Sequence, residues 1–190
     1  MSIIRQAALR FGVHNRRRKL ARALRHIRRT GSDSVLLVGV HAGDDGVNNL
    51  IERGLASAAS RVVGIGLDEF GPSWLDYWKA DALDLPFRDG EFDFVFSNAV
   101  IEHVTDQARF VAEHDRVGRS WMLTTPNRLF PVEAHDHTLF SHWRAGWVSR
   151  SGTVTRLLSP GDLRAMLPPD AKVRGWLWPT LVATGGTVSG

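Results

Sequence analysis

The sequence predicts an α/β fold: a doubly wound, mostly parallel, Rossmann-like sheet formed by a chain of 190 residues. Short apolar segments rich in β-branched residues alternate with helical patterns, which is typical of parallel strands joined by helices. The first two such segments, 34–40 and 61–67, are apolar throughout, as strands covered on both faces are. The length fits one domain that buries a core of its own.

The N-terminal residues 1–30 predict a basic amphipathic helix, which we separate from a domain over 31–190. Leu20, Leu24 and Ile27 share one face, and the opposite face is almost entirely arginine. Residues 1–32 hold ten of the 24 Lys and Arg and no acid, so the remainder has 14 basic against 20 acidic residues. We expect the apolar face to pack on the domain. The basic face, within residues 5–29, leaves open an anionic membrane surface or RNA as a partner.

The next elements follow from apolar runs and capping residues. A helix is predicted over 43–58, with Asp44 or Asp45 as its N-cap. The aromatic segment 71–79 is predicted to end in a short third strand.

The second half of the chain continues the alternation. The predicted strands are 92–97, 120–125 and 172–184, and the predicted helices are 106–116, 141–147 and 159–166. A further helix is predicted to open near Asn98. The chain ends about where an antiparallel terminal hairpin would close, which leaves open a sheet that lacks one C-terminal edge strand.

Composition excludes several classes of site. The chain has no cysteine, so disulfides, thiol nucleophiles and cysteine zinc sites are excluded. No apolar run approaches the length of a membrane span, and the basic N-terminus lacks the apolar core of a signal peptide. We therefore expect a cytoplasmic protein, with peripheral membrane association through the basic helix left open.

The most specific signal is the stretch 79–104, KADALDLPFRDGEFDFVFSNAVIEHV. Asp81 and Asn98 would follow two neighbouring strands, and ligands of open α/β sheets bind outside the carboxyl ends of the strands. A carboxylate there can accept a hydrogen bond from an exocyclic amine such as that of adenine. The apolar segment 85–87 can flank the ring.

This stretch resembles the adenine-binding and fourth-strand motifs of class I S-adenosylmethionine-dependent methyltransferases of the type 11-like group, which read roughly D-A-x-x-L-P-F-x-D-x-x-F-D-x-V-x-S-x-x-V-x-E-H-V. The matching residues are Asp81, Ala82, Leu85, Pro86, Phe87, Asp89, Phe92, Asp93, Val95, Ser97, Val100, Glu102, His103 and Val104. A second stretch, TTPNRLFPVEAH at 124–135, resembles the T-P-N-R-x-F-P-x-E-x-H segment of a subset of that family.

The resemblance implies a methyltransferase that uses S-adenosylmethionine and a small-molecule or lipid acceptor. It implies a cofactor site formed by Gly39, Gly43, Asp68, Asp81, Ala82 and Asn98. His103 and His135 become candidates for orienting or deprotonating the acceptor. Glu133, His135, Asp136, His137 and His142 are read first as solvated loop residues, with an acceptor pocket or a metal site as alternatives, and we predict no metal.

The resemblance fails at the first two strands. The family reads close to V-L-D-V-G-C-G-x-G at the first strand, whereas this chain has Leu37 for the acid and His41 for the middle glycine. The second strand ends in Gly66 where the family has an acid, with Asp68 two residues later. These departures leave open a non-catalytic partner or scaffold with the same fold, or an adaptor that works through the basic helix. Acids at 44 and 45 disfavour a phosphate-bearing cofactor such as NAD.

Overall fold

The computed structural model describes residues 3–43, 49–132, 138–144, 147–150, 152–154 and 156–186, with only the backbone described for 3–11. The strands are β1 Ser34–Val38, β2 Arg61–Gly66, β3 Asp76–Lys79, β4 Phe92–Asn98, β5 Gly118–Pro126, β6 Lys172–Arg174 and β7 Thr180–Gly185. The α-helices are α1 Ile3–Thr30, α2 Leu50–Leu55, α3 Gln107–Val117 and α4 Pro160–Met166, with a 3₁₀ turn at Ser141–Trp143.

The sheet has the order β3-β2-β1-β4-β5-β7-β6. Its first five strands are parallel, and β7 runs antiparallel to both β5 and β6. The predicted doubly wound, mostly parallel sheet is therefore confirmed. The strand order reverses between β1 and β4, which is where such sheets bind ligands.

No C-terminal edge strand is missing from the described sheet. The segment predicted as one strand over 172–184 is two strands, because the chain reverses after Arg174. Gly175 enters the reversal at a φ of 95°, and a Cβ there would lie 2.2 Å from the Thr180 carbonyl oxygen. Only glycine fits this close approach. The apolar run over 172–184 therefore forms a hairpin of two strands and not one continuous strand.

The prediction that a helix opens near Asn98 is wrong. Strand β4 continues through Asn98, Ala99 then adopts a left-handed φ of 57°, and a turn follows. Helix α3 begins only at Gln107, where the Asp106 side chain caps the Arg109 N–H. The predicted caps Asp44 and Asp45 lie outside the described residues.

Helix α1 packs on the sheet as its apolar spacing predicts. Ala23 and Ile27 are at most 4% exposed and belong to the core layer that includes α2 and one face of β1 and β4. The other layer holds α3 and α4 against the opposite face. Helix α1 runs antiparallel to the parallel strands, since His26 bonds Ser120 at the start of β5 and Asn15 bonds Thr180 beside the end of β5. Among the described helices, none is long and apolar enough to cross a bilayer.

Candidate functional site

The loop after β1 forms one wall of the crevice at the carboxyl edge of the sheet. Gly39 has a φ of 83°, and a Cβ there would lie 2.3 Å from the Val100 Cγ2 atom. The Gly39 and Val40 amides both donate to the Ile65 carbonyl, at 2.9 and 2.8 Å. A glycine is therefore required for the close approach of this loop to the turn after β4. At Gly43 an added Cβ would meet no atom of the described residues within 4 Å.

The two departures from the first-strand motif do not close the crevice. The His41 side chain is 83% exposed and therefore lies in solvent. Leu37, which replaces the acid, is 1% exposed and belongs to the core layer of α1 and α2. The His41 imidazole is therefore not packed into the interior of the fold, and its Nδ1 atom lies 4.0 Å from the Asp68 carboxylate.

Asp68 lies where the second-strand acid of the family is missing. A Cβ on Gly66 would lie 2.2 Å from the Val40 carbonyl oxygen, so an acidic side chain at the end of β2 would separate β1 from β2. Two residues later, the Asp68 carboxylate accepts from the Ala42 amide at 2.9 Å and lies 4.0 Å from the His41 Nδ1 atom. The Tyr77 hydroxyl donates to the Asp68 carbonyl at 3.0 Å, which fixes this acid beside the first-strand loop.

Asp81 and Ala82 follow β3 at the same edge. Asp81 is exposed, and its Oδ1 atom accepts from the Leu83 amide at 2.9 Å. Ala82 and Leu83 pack on the core layer of α3. The turn therefore anchors its apolar side chains in the core and presents a carboxylate at the crevice.

Asn98 lies at the end of β4, but its carboxamide oxygen is engaged. It accepts from the Lys19 Nζ atom at 2.8 Å and from the Thr124 hydroxyl at 2.9 Å. Burial, with a further contribution from Arg16, lowers the pKa of Lys19 to about 8, although Glu102 and Glu52 oppose that shift. The sequence analysis did not predict this contact. The one feature of the sequence that could have indicated it is the single lysine among the arginines of residues 16–29.

Two buried carboxylates accompany the Lys19 ammonium. Glu102, fully buried after β4, accepts from the Thr125 hydroxyl at 3.0 Å. Glu52 of α2 is 9% exposed, and burial raises the pKa of its carboxyl. These acids offset part of the positive charge beneath the switch point between β1 and β4.

Of the two histidines predicted to act on the acceptor, the structure describes His103. His103 lies in the turn after β4, and its Nδ1 atom is 2.9 Å from the Thr153 carbonyl oxygen. His135 lies outside the described residues, as do Glu133, Asp136 and His137. His142 is buried with Nε2 at 2.8 Å from the Arg128 carbonyl. Within the described ranges, no three His, Asp or Glu side chains converge as metal ligands would.

A groove of about 900 Å³ lies at the opposite, amino edge of the sheet. Three of its arginines form ion pairs within the protein: Arg61 with Glu91 at 2.8 Å, Arg116 with Asp89 at 2.9 Å and Arg119 with Asp93 at 3.1 Å. These charges are already matched, so we place the candidate site at the carboxyl edge.

The residues of the carboxyl-edge crevice fit S-adenosylmethionine. Two carboxylates, Asp68 and Asp81, follow adjacent strands and suit the ribose hydroxyls and the adenine amine. The His41 side chain of the first-strand loop is 83% exposed and is not buried in the fold. The positive charge of the Lys19 ammonium disfavours binding of the cofactor's positively charged sulfonium. The nearby carboxylates of Glu52 and Glu102 offset part of that repulsion.

Comparisons with known proteins agree with this geometry. Residues 48–120 match the sequence model of the family described as Methyltransferase domain. A probable S-adenosylmethionine-dependent methyltransferase of Mycolicibacterium smegmatis is 35% identical over 85 residues, which are 40% of this chain and 33% of that protein. The chloroplastic tocopherol O-methyltransferase of Arabidopsis thaliana is 34% identical over 131 residues, 58% of this chain and 36% of that protein. The chain thus spans about a third of the length of these curated relatives.

Solved structures share the fold at low identity. An S-adenosylmethionine-dependent methyltransferase from Mesorhizobium loti superposes with a TM-score of 0.55 and 14% identity, over 80% of this chain and 89% of that one. The [4+2]-cyclase SpnF superposes with a TM-score of 0.52 and 17% identity, over 77% of this chain and 54% of that one. These likenesses show the architecture and not the reaction.

The family resemblance predicted from residues 79–104 agrees with the methyltransferase-domain match over 48–120, and the name of the Mycolicibacterium smegmatis relative prints S-adenosylmethionine as the cofactor of that protein. The family model, the relatives and the strand order agree: residues 48–120 match a methyltransferase domain, and the fold is that of class I S-adenosylmethionine-dependent methyltransferases, with a divergent first-strand motif.

Proposed function

We propose that this protein transfers a methyl group from S-adenosylmethionine to a small-molecule or lipid acceptor. The observation that carries the proposal is the pair of carboxylates, Asp68 and Asp81, held by backbone amides after β2 and β3 at the carboxyl edge of the sheet. Both acids lie within the part of the chain that matches the methyltransferase family.

Each predicted cofactor residue has a distinct task. Asp81, with Ala82, would accept from the adenine amine, and Asp68 would accept from a ribose hydroxyl. Gly39 and Gly43 would let the first-strand loop approach the ligand, and Asn98 would close the site at the switch point. The cofactor supplies an electrophilic methyl group on a sulfonium.

The chain's own contribution to the reaction is to orient the acceptor and to take its proton. An acceptor oxygen or nitrogen must be held roughly 3–3.5 Å from the methyl carbon, in line with the sulfur behind it. The Thr153 carbonyl can only accept, so the proton of a neutral His103 lies on Nδ1 and the lone pair lies on Nε2. This tautomer is the form of imidazole that can receive the acceptor proton. His135 stays a second candidate for the same task.

A second candidate function is a non-catalytic partner with the same fold. The observation that favours it is the Lys19 ammonium 2.8 Å from the Asn98 oxygen, because a fixed positive charge there disfavours a bound sulfonium. The two functions differ in whether the cofactor binds at all. The cytoplasmic location stays a prediction.

Thermal unfolding with S-adenosylmethionine tests the proposal and separates it from the second candidate. Ligand at 100 times its dissociation constant stabilises the folded state by about 2.7 kcal/mol. For a chain of this size we expect the melting temperature to rise by roughly 5–10 °C. NAD serves as the control ligand and should leave the melt unchanged. A melt indifferent to millimolar S-adenosylmethionine would contradict the methyltransferase proposal and favour the non-catalytic partner.

A further inference from the structure

The reversal between β6 and β7 carries an exposed apolar tip, which we define as Trp176, Leu177 and Trp178. The Leu177 side chain is 94% exposed, and those of Trp176 and Trp178 are 60% and 41% exposed. Isolated surface leucines are ordinary, but three adjacent large apolar side chains at a protruding turn expose a continuous apolar surface to water.

The tip is held in place by the strand end beneath it. The Asn127 Nδ2 atom donates to the Trp176 and Trp178 carbonyls, both at 3.0 Å, and the Asn127 amide donates to the Pro179 carbonyl at 2.9 Å. The Trp178 amide closes the turn on the Gly175 carbonyl at 2.9 Å. The backbone of the tip is therefore fixed before any partner arrives, which lowers the entropy cost of binding.

A row of arginines on α1 flanks this tip. Arg18, Arg22, Arg25 and Arg29 follow helical spacing along one exposed face. The Arg18 guanidinium lies 4.9 Å from the centre of the Trp178 ring, which joins the row to the tip.

The same surface extends from α1 onto β6. Arg174 is exposed at the end of β6, two residues before the tip, and after burial its charge contributes most to lowering the pKa of Arg22 in the row. The described parts of the chain thus present cationic and apolar side chains on one continuous surface.

The position of the tip follows from strand register. Thr180, the first residue of β7, pairs with Pro126 at the carboxyl end of β5. The tip therefore projects from the carboxyl edge of the sheet. Of the twelve exposed large apolar side chains in the described ranges, all except Trp78 lie in segments that leave β2 or β5 or enter β7. Among these side chains, those of the tip are joined to the arginine row, through the contact of Arg18 with Trp178.

We propose that this surface docks the protein on an anionic lipid bilayer, with the tip in the interfacial layer and the arginine row on the headgroups. Charge complementarity selects an anionic partner, since the row contains no acid. Leu177 selects a bilayer over RNA, because a leucine gains free energy by entering an apolar layer and offers no aromatic face for bases. The proposal does not depend on methyl transfer.

The test is cosedimentation of the full chain with vesicles of phosphatidylcholine containing about 30 mol % phosphatidylglycerol, against vesicles of phosphatidylcholine alone. We expect binding to the anionic vesicles, weakened by salt. Leu177→Ser should reduce the affinity roughly tenfold. Its matched control, Leu67→Ser, changes a leucine that is 75% exposed after β2 and should change the affinity less than twofold.

Two double variants, each of which removes two positive charges, test the contribution of the arginines to vesicle binding. Arg22→Gln with Arg174→Gln should weaken vesicle binding roughly 25-fold, about fivefold for each arginine near the surface. Arg88→Gln with Arg109→Gln removes two exposed charges, the second on α3 in the layer opposite α1, and should leave binding near the wild-type value.

Three results would overturn the proposal. The first is no sedimentation with anionic vesicles. The second is tighter binding to a structured RNA that loses affinity in the arginine variant and not in Leu177→Ser. The third is a dimer, seen by analytical ultracentrifugation, that Leu177→Ser dissociates.

Discussion

The two edges of one sheet differ in how their carboxylates are used. At the amino edge, Asp93 accepts from the Asp33 amide and from the amide and hydroxyl of Ser34, all at 2.9–3.0 Å, and pairs with Arg119. At the carboxyl edge, Asp81 accepts one hydrogen bond, from an amide two residues along its own turn. The amino-edge acid is engaged in joining strands, whereas the carboxyl-edge acid retains acceptor capacity for a ligand.

The motif over 79–104 is therefore two motifs joined end to end. Its Asp89 and Asp93 pair with Arg116 and Arg119 at the amino edge, and its Asp81 lies at the carboxyl edge, where we propose that it binds the cofactor. A residue-by-residue match to the family thus mixes determinants of the fold with candidate ligands of the cofactor. Position along a strand, and not the presence of an acid, separates them.

The largest expected effect concerns acid stability on the amino-edge side, at the end of α3. Burial lowers the pKa of His114 to about 4 from its ordinary value of 6.5, with Nδ1 on the Phe110 carbonyl and Nε2 buried without a partner in the described chain. The unfolded state takes up the proton below pH 6.5, while the folded state resists until about pH 4. The free energy of unfolding should therefore fall by roughly 3 kcal/mol as the pH drops through this window.

Urea unfolding at several pH values measures that fall. In His114→Leu the dependence between pH 6.5 and 5 should largely vanish, leaving a smaller slope from His26, whose pKa burial also lowers. An unchanged slope in His114→Leu would show that other groups govern acid unfolding.

The next effect separates the edges directly. Asp93→Ala leaves the Asp33 and Ser34 amides without their acceptor and should lower the free energy of unfolding by about 2 kcal/mol. Asp89→Ala is the control, because Asp89 is 83% exposed and makes one ion pair, and it should cost well under about 1 kcal/mol. Chemical denaturation of both variants gives the comparison, and equal losses would refute the structural role assigned to Asp93.

At the carboxyl edge the expected effect is on binding and not on stability. Asp81→Asn should weaken S-adenosylmethionine binding roughly tenfold through loss of a charged acceptor, with a melt close to wild type in the absence of ligand. Asp84→Asn is the matched control, since Asp84 is an exposed acid three residues away. Isothermal titration calorimetry measures both, and equal affinities for the two variants would remove Asp81 from the site.

The smallest effect tests the charge beneath the switch point. Lys19→Gln removes the ammonium that bonds Asn98 and should tighten S-adenosylmethionine binding two- to threefold, since a like charge near the sulfonium is lost. Lys79→Gln, at the exposed end of β3, should leave the affinity unchanged. Weaker binding in Lys19→Gln would instead mean that Lys19 holds Asn98 in its binding geometry.

Local signals predicted most of the fold. Alternating apolar runs located β1, β2, β4 and β5, and the Ser159 cap with Pro160 located α4, because strand burial and helix capping are written in neighbouring residues. The single strand expected over 172–184 and the helix expected at Asn98 failed for a shared reason. Each depends on one residue with positive φ, Gly175 or Ala99, whose conformation is set by packing.

The candidate site also has features that the sequence predicts and features that only packing sets. The sequence by itself predicted the resemblance to methyltransferases, the proposed cofactor class and the placement of Asp81 at a strand end, because those depend on residue type and spacing. Tertiary structure alone decided that His41 lies in solvent, that Gly66 has no room for an acid, and that Lys19 reaches Asn98 across 79 residues. Contacts between distant segments depend on how the strands pack, and residue spacing along the chain does not specify that geometry.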